Sequence, residues 1–126
     1  MYFHGGGWVL GGFDTHDRLV KELSNGAHAA IVFVNYTRSP EARYPDPLEQ
    51  AYAATKWVEE NAHIINVNSS RLAVVGDSVG GNMAAAVSYL RRSEEDPESI
   101  SKCSSIRLPT PILIHILTQL IKMVTF

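Results

Sequence analysis

The chain holds a single cysteine, Cys103, so no disulfide can close within it and a reducing compartment suits it. No run of about eighteen consecutive apolar residues occurs, so no membrane span is expected. A signal peptide's basic start, apolar core and cleavage site are missing, and a cytoplasmic location is expected. Neither sign of charge dominates. The net charge is -2, and the aromatics are not interleaved with a basic patch, which argues against nucleic acid as a partner. The glycines are not followed by Gly-Lys-Ser/Thr, so there is no P-loop. The spacing G-x-G-x-x-G of a dinucleotide site is absent. Neither H-E-x-x-H nor a cysteine–histidine ligand spacing is present, so neither a cofactor nor a metal is expected. At 126 residues the chain suffices for one small domain.

What is present is glycine, in two places. Five of the nine glycines fall in "MYFHGGGWVLGG", and three more fall in "GDSVGGN". Between these clusters the pattern alternates. Residues 1–3 are β-like and run straight into the glycines. A helix is expected over 14–25, capped by Asp14 or Thr15, with Leu19, Val20 and Leu23 on one face and Gly26 at its left-handed end. The segment "AAIVFVNY" follows, and the continuous β-prone run 31–34 reads as a strand covered on both faces.

"TRSPEARYPDP" is a proline-broken loop. From Pro47 a helix is expected, with Leu48, Ala51, Tyr52, Thr55 and Val58 on one stripe. Residues 72–75 read as a second buried strand, 76–78 as a sharp turn, and 79–92 as an alanine-rich helix. Strands alternating with helices predict an α/β fold with a parallel sheet. After Arg92 the chain turns polar, then strongly apolar in "PILIHILTQLIKMVTF", where 113–124 fits a helical stripe and 112–114 a strand. A domain over 1–92 and a divergent tail over 93–126 are therefore expected.

Gly76-Asp77-Ser78-Val79-Gly80 has the form G-x-S-x-G between an expected strand and an expected helix, the setting of a nucleophile elbow. Such a turn lifts the Ser78 hydroxyl above the sheet edge. Gly76, Gly80 and Gly81 let neighbouring backbone come close. The helix that follows turns its free N–H groups and positive end toward the same point, where an oxyanion would develop. A random chain of this length would show G-x-S-x-G about 4% of the time, and H-G-G-G on the order of one time in a thousand.

"HGGGW" followed by "GDSVGGN" resembles the hormone-sensitive-lipase-like carboxylesterases of the α/β-hydrolase fold. The intervening "NYTRSPEARYPDPLEQAYAATKWV" is similar to that family's loop and helix, so the likeness covers roughly Tyr2 to Arg92. The resemblance implies a three-layer α/β-hydrolase architecture, a small ester as substrate, and Ser78 as the nucleophile that forms an acyl-enzyme. It implies an oxyanion hole made by the N–H groups of Gly6, Gly7 and Val79. His4 and Gly5 would support the glycine loop, Asp77 would brace the elbow, and Trp8 would line the acyl or alcohol pocket.

In this fold the acid and then the histidine follow the serine. Only His115 follows Ser78, and Asp46-Pro47-Leu48, which mimics the acid's segment, precedes it. His16, His28 and His63 read as solvated or structural. The chain is thus expected to be a partial hydrolase of about three strands that lacks the acid and base, and its tail looks foreign, as after a shift of reading frame. Two other outcomes are weighed: a non-catalytic member that binds a small ligand, and a product without function.

Overall fold

The computed structural model describes residues 1–94. Three short strands form a parallel sheet in the order β2-β1-β3, made of Tyr2–Phe3 (β1), Phe33–Val34 (β2) and Val75–Gly76 (β3). Tyr2 and Phe3 lie opposite Phe33 and Val34 on one side, and opposite Val75 and Gly76 on the other. Three helices flank the sheet: α1 (Phe13–Ala27), α2 (Asp46–Glu60) and α3 (Val79–Glu94). A short 3-10 helix, Ser69–Arg71, leads into β3, and Asn68 caps it by accepting from the Ser70 N–H.

Side chains alternate along a strand, so β1 serves both faces. Phe3, fully buried, packs among Val34, Ala51, Val58, Met83 and Val87, the side covered by α2 and α3. Tyr2 and His4 point to the other side, where Phe33 stacks on them and α1 contributes Phe13 and His16. The core therefore lies between the sheet and the α2–α3 pair, and an aromatic layer lies between the sheet and α1.

The α2 stripe buries Pro47, Ala51, Thr55 and Val58, at the spacing of one helix face, with Leu48 and Tyr52 packed beside them. Thr55, a polar residue in that core, is satisfied because its Oγ1 donates to the Ala51 carbonyl at 2.8 Å. Glu59 on α2 pairs with Arg91 on α3 and joins the two helices at their solvent side.

The structure differs from the sequence reading at several points, among them β3, which covers Val75–Gly76 where 72–75 is expected to be the strand. The α1 cap is Gly12, with Thr15 Oγ1 accepting from its N–H at 3.0 Å and donating to its carbonyl at 2.8 Å. The left-handed residue at the end of α1 is His28 (φ 47°), because the helix continues through Gly26. Strand β2 spans only Phe33–Val34 where 31–34 is expected, and it lies at the edge of the described sheet, with Phe33 covered from α1 and Val34 from α2 and α3. Ile31, Val32 and Phe33 stay half-buried, and a groove of about 650 Å³ opens beside them between Val32, Trp57, Val58 and Ile65. Finally, α3 runs two residues past Arg92, because Ser93 is buried and its Oγ donates to the Tyr89 carbonyl at 2.9 Å. The rest of the expected tail lies outside the described residues. Among the described residues no helix is long and apolar enough to cross a membrane.

This packing sets an ordering of mutational costs. Met83→Ala, at a fully buried position, should lower stability by about 2–5 kcal/mol. Leu19→Ala, at a position 40% exposed, should cost less than about 1 kcal/mol. The urea midpoint at unchanged slope measures both.

Candidate active site

Two loops leave neighbouring parallel strands at the same end of the sheet, where open α/β sheets place their ligands. The glycine loop follows β1, and the serine turn follows β3. Because Phe3 lies opposite Gly76, the chain emerges as His4-Gly5 on one strand and Asp77-Ser78 on the other, side by side.

Ser78 sits at φ 51°, in the left-handed region that a serine rarely adopts, between the end of β3 and the start of α3. It is exposed. The turn closes through Gly80 N–H to the Asp77 carbonyl at 2.7 Å and Gly81 N–H to the Ser78 carbonyl at 3.1 Å. Val79 is the first residue of α3, so its N–H is among the four that a helix start leaves without an intrahelical partner. Gly80 is required by contact with β1, since a Cβ there would lie 1.9 Å from the Phe3 carbonyl oxygen. Gly76 and Gly81 are buried on either side of the turn.

The glycine loop is held from several directions. The Gly6 carbonyl accepts from Val9 and Leu10 N–H, at 3.2 and 2.8 Å, which folds the loop back on itself. Gly7 has φ 64°, and a Cβ placed on it would meet nothing within 4 Å, so it borders open space. The Trp8 carbonyl accepts from Ser39 N–H at 2.8 Å, and the Gly11 carbonyl accepts from the Arg38 guanidinium. Both bonds fasten the loop to the proline-broken segment after β2.

Asp77 joins the two loops. Its Oδ1 accepts from the Gly5 N–H at 2.8 Å and from the Tyr2 hydroxyl at 2.7 Å, and His16 Nε2 approaches the same oxygen at 3.6 Å. Asp77 was expected to brace its own turn. Its backbone carbonyl does so through Gly80 N–H, and its side chain braces the neighbouring loop as well. Gly5 permits this approach, because a Cβ there would lie 2.2 Å from Asp77 Oδ2. Burial holds the Tyr2 phenol well above its ordinary range, and the Asp77 carboxylate adds to the shift. Tyr2 and His16 were not singled out by the sequence reading as site supports. The alternation that puts Tyr2 on the α1 face was the available signal.

His4 is fully buried and stacks on Tyr36, with ring centroids 4.3 Å apart, and on Phe33 at 5.4 Å. Its Nδ1 lies 2.7 Å from the Gly5 carbonyl. A carbonyl only accepts, so Nδ1 carries the proton. Nε2 is then a bare lone pair, and it has no hydrogen-bond partner among the described residues. Burial pushes the imidazole below its usual range, against a smaller opposite pull from the Gly5 carbonyl. The Tyr36 hydroxyl donates to the His4 carbonyl at 2.8 Å, and burial with the nearby Asp77 charge raises that phenol to about 12. His28 and His63 are exposed, whereas His16 is largely covered, its side chain 14% accessible. Among the described residues no hydrogen bond joins the Ser78 hydroxyl to a histidine.

A cleft of about 420 Å³ opens between Trp8 on the glycine loop and Arg43, Tyr44, Pro47 and Leu48 beyond β2, with Asn82 of α3 also in its lining. Asn82 lies one helical turn beyond Ser78 on the same face.

The neutral, buried His4 makes stability depend on pH. Its folded pKa lies below the unfolded value near 6.5, so its contribution is complete above that value. It is lost as pH falls from there toward the folded pKa, because the unfolded chain then binds the extra proton. The melting temperature should drop between about pH 7.5 and 5. His4→Gln should flatten that slope, whatever it does to the melting temperature at neutral pH.

A family model described as the alpha/beta hydrolase fold matches residues 1–121. The carboxylesterase NlhH of Mycobacterium tuberculosis is 45% identical over 97 residues, which is 77% of this chain and 30% of that protein. Esterase LipI of the same organism is 43% identical over 97 residues, with the same coverage of 77% and 30%. Among solved structures, a thermostable esterase from Pseudomonas putida superposes with a TM-score of 0.73 at 54% identity, over 76% of this chain and 30% of that one. The hyperthermophilic esterase of Pyrobaculum calidifontis superposes with a TM-score of 0.73 at 42% identity, over 75% and 30%. The chain thus spans about 30% of the length of the curated relatives it matches. It belongs to the alpha/beta hydrolase fold family, among relatives that are carboxylesterases.

Proposed function

We propose that this chain carries the nucleophile and the oxyanion-binding half of a serine carboxylesterase that acts on small esters. The observation that carries the reading is Ser78 at φ 51° on the β3–α3 turn, beside a glycine loop tied to that turn through Asp77 and Gly5. The kinship with esterases supports it.

In this reading the Ser78 oxygen bonds to the ester carbonyl carbon, and the carbonyl's π electrons move onto its oxygen. The N–H groups of Val79, Gly6 and Gly7 would face that oxyanion, each worth about 3 kcal/mol of barrier. The tetrahedral species collapses, the alcohol leaves with a proton, and Ser78 keeps the acyl group until water removes it. Trp8 lies in the lining of the adjoining cleft and would contact the acyl or alcohol portion.

We further propose that residues 1–94 hold no general base for Ser78. Of the described histidines, His4 is bonded to the Gly5 carbonyl, His16 through Nδ1 to Thr15 and Gly12, and His28 and His63 stand exposed, while His115 lies outside the described residues. Without a base the hydroxyl must be ionised by solvent hydroxide, so acylation is slow and first order in hydroxide. Loss of a triad's base typically costs about four to six orders of magnitude in kcat.

With p-nitrophenyl acetate, intact mass should show one acetyl group accumulating on the wild-type chain and none on Ser78→Ala. The acetylation rate should rise about tenfold per pH unit from about 6 to 9. An adduct that survives Ser78→Ala removes Ser78 as the nucleophile. A rate that levels off near pH 7 reveals a base within the chain.

A further inference from the structure

The cleft beside Ser78 carries a charge that its lining does not answer. Its walls are set by bonds already described: Ser39 N–H to the Trp8 carbonyl holds one side to the other, and the Arg38 guanidinium on the Gly11 carbonyl repeats the tie. Trp8, Tyr44, Pro47 and Leu48 make it mostly apolar, and Asn82 brings it within one helical turn of Ser78. Arg43 is the charged residue of this lining, and no acidic residue lines it.

Several other cations of the described chain have partners, whereas Arg71 and Arg92 have neither an ion pair nor a side-chain hydrogen bond there but lie outside this cleft. Arg18 and Lys21 pair with Glu22 and Asp17 along α1, Arg91 pairs with Glu59, and Arg38 is bonded to the Gly11 carbonyl. The Arg43 guanidinium forms neither an ion pair nor a hydrogen bond among the described residues. The nearby carboxylates Asp46 and Glu49 lie in the first turn of α2, where they complement that helix's positive end. A guanidinium presents a planar fork of donors that matches a carboxylate two bonds at a time, and a lysine does not.

We propose that this cleft selects esters that carry a carboxylate on the portion lying against Trp8 and Leu48, with Arg43 as the cation that recognises it. The substrate class is a half-ester of a dicarboxylic acid or an acylated hydroxy acid with a compact apolar body. The proposal rests on the esterase reading for its substrate but not for its binding, which needs no acylation of Ser78.

Binding is therefore measured without turnover. Trp57→Phe leaves Trp8 as the sole tryptophan, and Trp57 lies outside this cleft. In that background Trp8 fluorescence is titrated at low salt with phenylacetate and with phenylacetamide, its neutral isostere. Phenylacetate should bind about fivefold more tightly, the range of a partly solvated ion pair. Arg43→Gln should bring the two to parity, Arg43→Lys should keep part of the preference, and about 0.5 M salt should weaken it.

Equal affinity for the two probes overturns the proposal, as does binding of neither or a preference that survives Arg43→Gln. Displacement of phenylacetate by an equal concentration of inorganic phosphate would mark a bare anion site and also overturns it. Any of these results can occur while Ser78 still acetylates, so failure here is distinct from failure of the esterase reading.

Discussion

The candidate active-site end of this molecule depends on one carboxylate. Asp77 precedes Ser78 in the chain, yet its Oδ1 is spent on the Gly5 N–H and the Tyr2 hydroxyl, both on the neighbouring strand and its loop. A carboxylate accepting from a backbone N–H and a phenol makes stronger bonds than a neutral acceptor would. Losing it would leave the Gly5 N–H unpaired, at a cost of about 1–3 kcal/mol for a covered donor. The serine turn and the glycine loop are therefore held as one unit. In the proposed reaction their relative placement would set the oxyanion stabilisation, because donors help only where the charge develops.

Topology makes that bond available. With β1 in the middle of the order β2-β1-β3, its loop leaves the sheet between its neighbours, and the β3 turn emerges beside it. The aromatic layer under α1 then fixes the loop from below. His4 is sandwiched against Tyr36 and Phe33, and its proton is committed to the Gly5 carbonyl. A charged histidine could not occupy this position cheaply, which is why a fully buried imidazole here remains neutral. His4 therefore supports the loop. It is poorly placed to exchange protons with a substrate.

Much of this was legible in the chain, and the boundary between what was and was not is physical. The α2 stripe, the strand–turn–helix around Ser78 and the glycine cluster after β1 are local patterns, set by periodicity or by steric demand at single positions. The Asp77–Gly5 bond spans 72 positions, and nothing near Asp77 in sequence signals which backbone amide it meets. The burial of His16 has the same origin, since helix periodicity does not reveal that Phe33 and Tyr2 lie beneath it. Strand β2 is shorter than its β-prone run for a related reason: only Phe33 and Val34 pair with β1, and the groove beside Ile31 and Val32 is set by residues distant in sequence. At the end of α1, Gly26 was the residue suited to a left-handed cap, and the helix instead closed on His28, where the chain must turn toward β2.

The most direct test of this account compares Asp77→Asn with Asp77→Ala by the rate at which Ser78 takes an acetyl group from p-nitrophenyl acetate. Asparagine retains an oxygen able to accept from Gly5 and Tyr2. Alanine retains nothing. The expected result is a rate within a few-fold of wild type for Asp77→Asn and a loss of about tenfold or more for Asp77→Ala, with both chains folded by circular dichroism. An Asp77→Ala chain that acetylates at the wild-type rate would contradict the claim that this carboxylate holds the loop and the serine together.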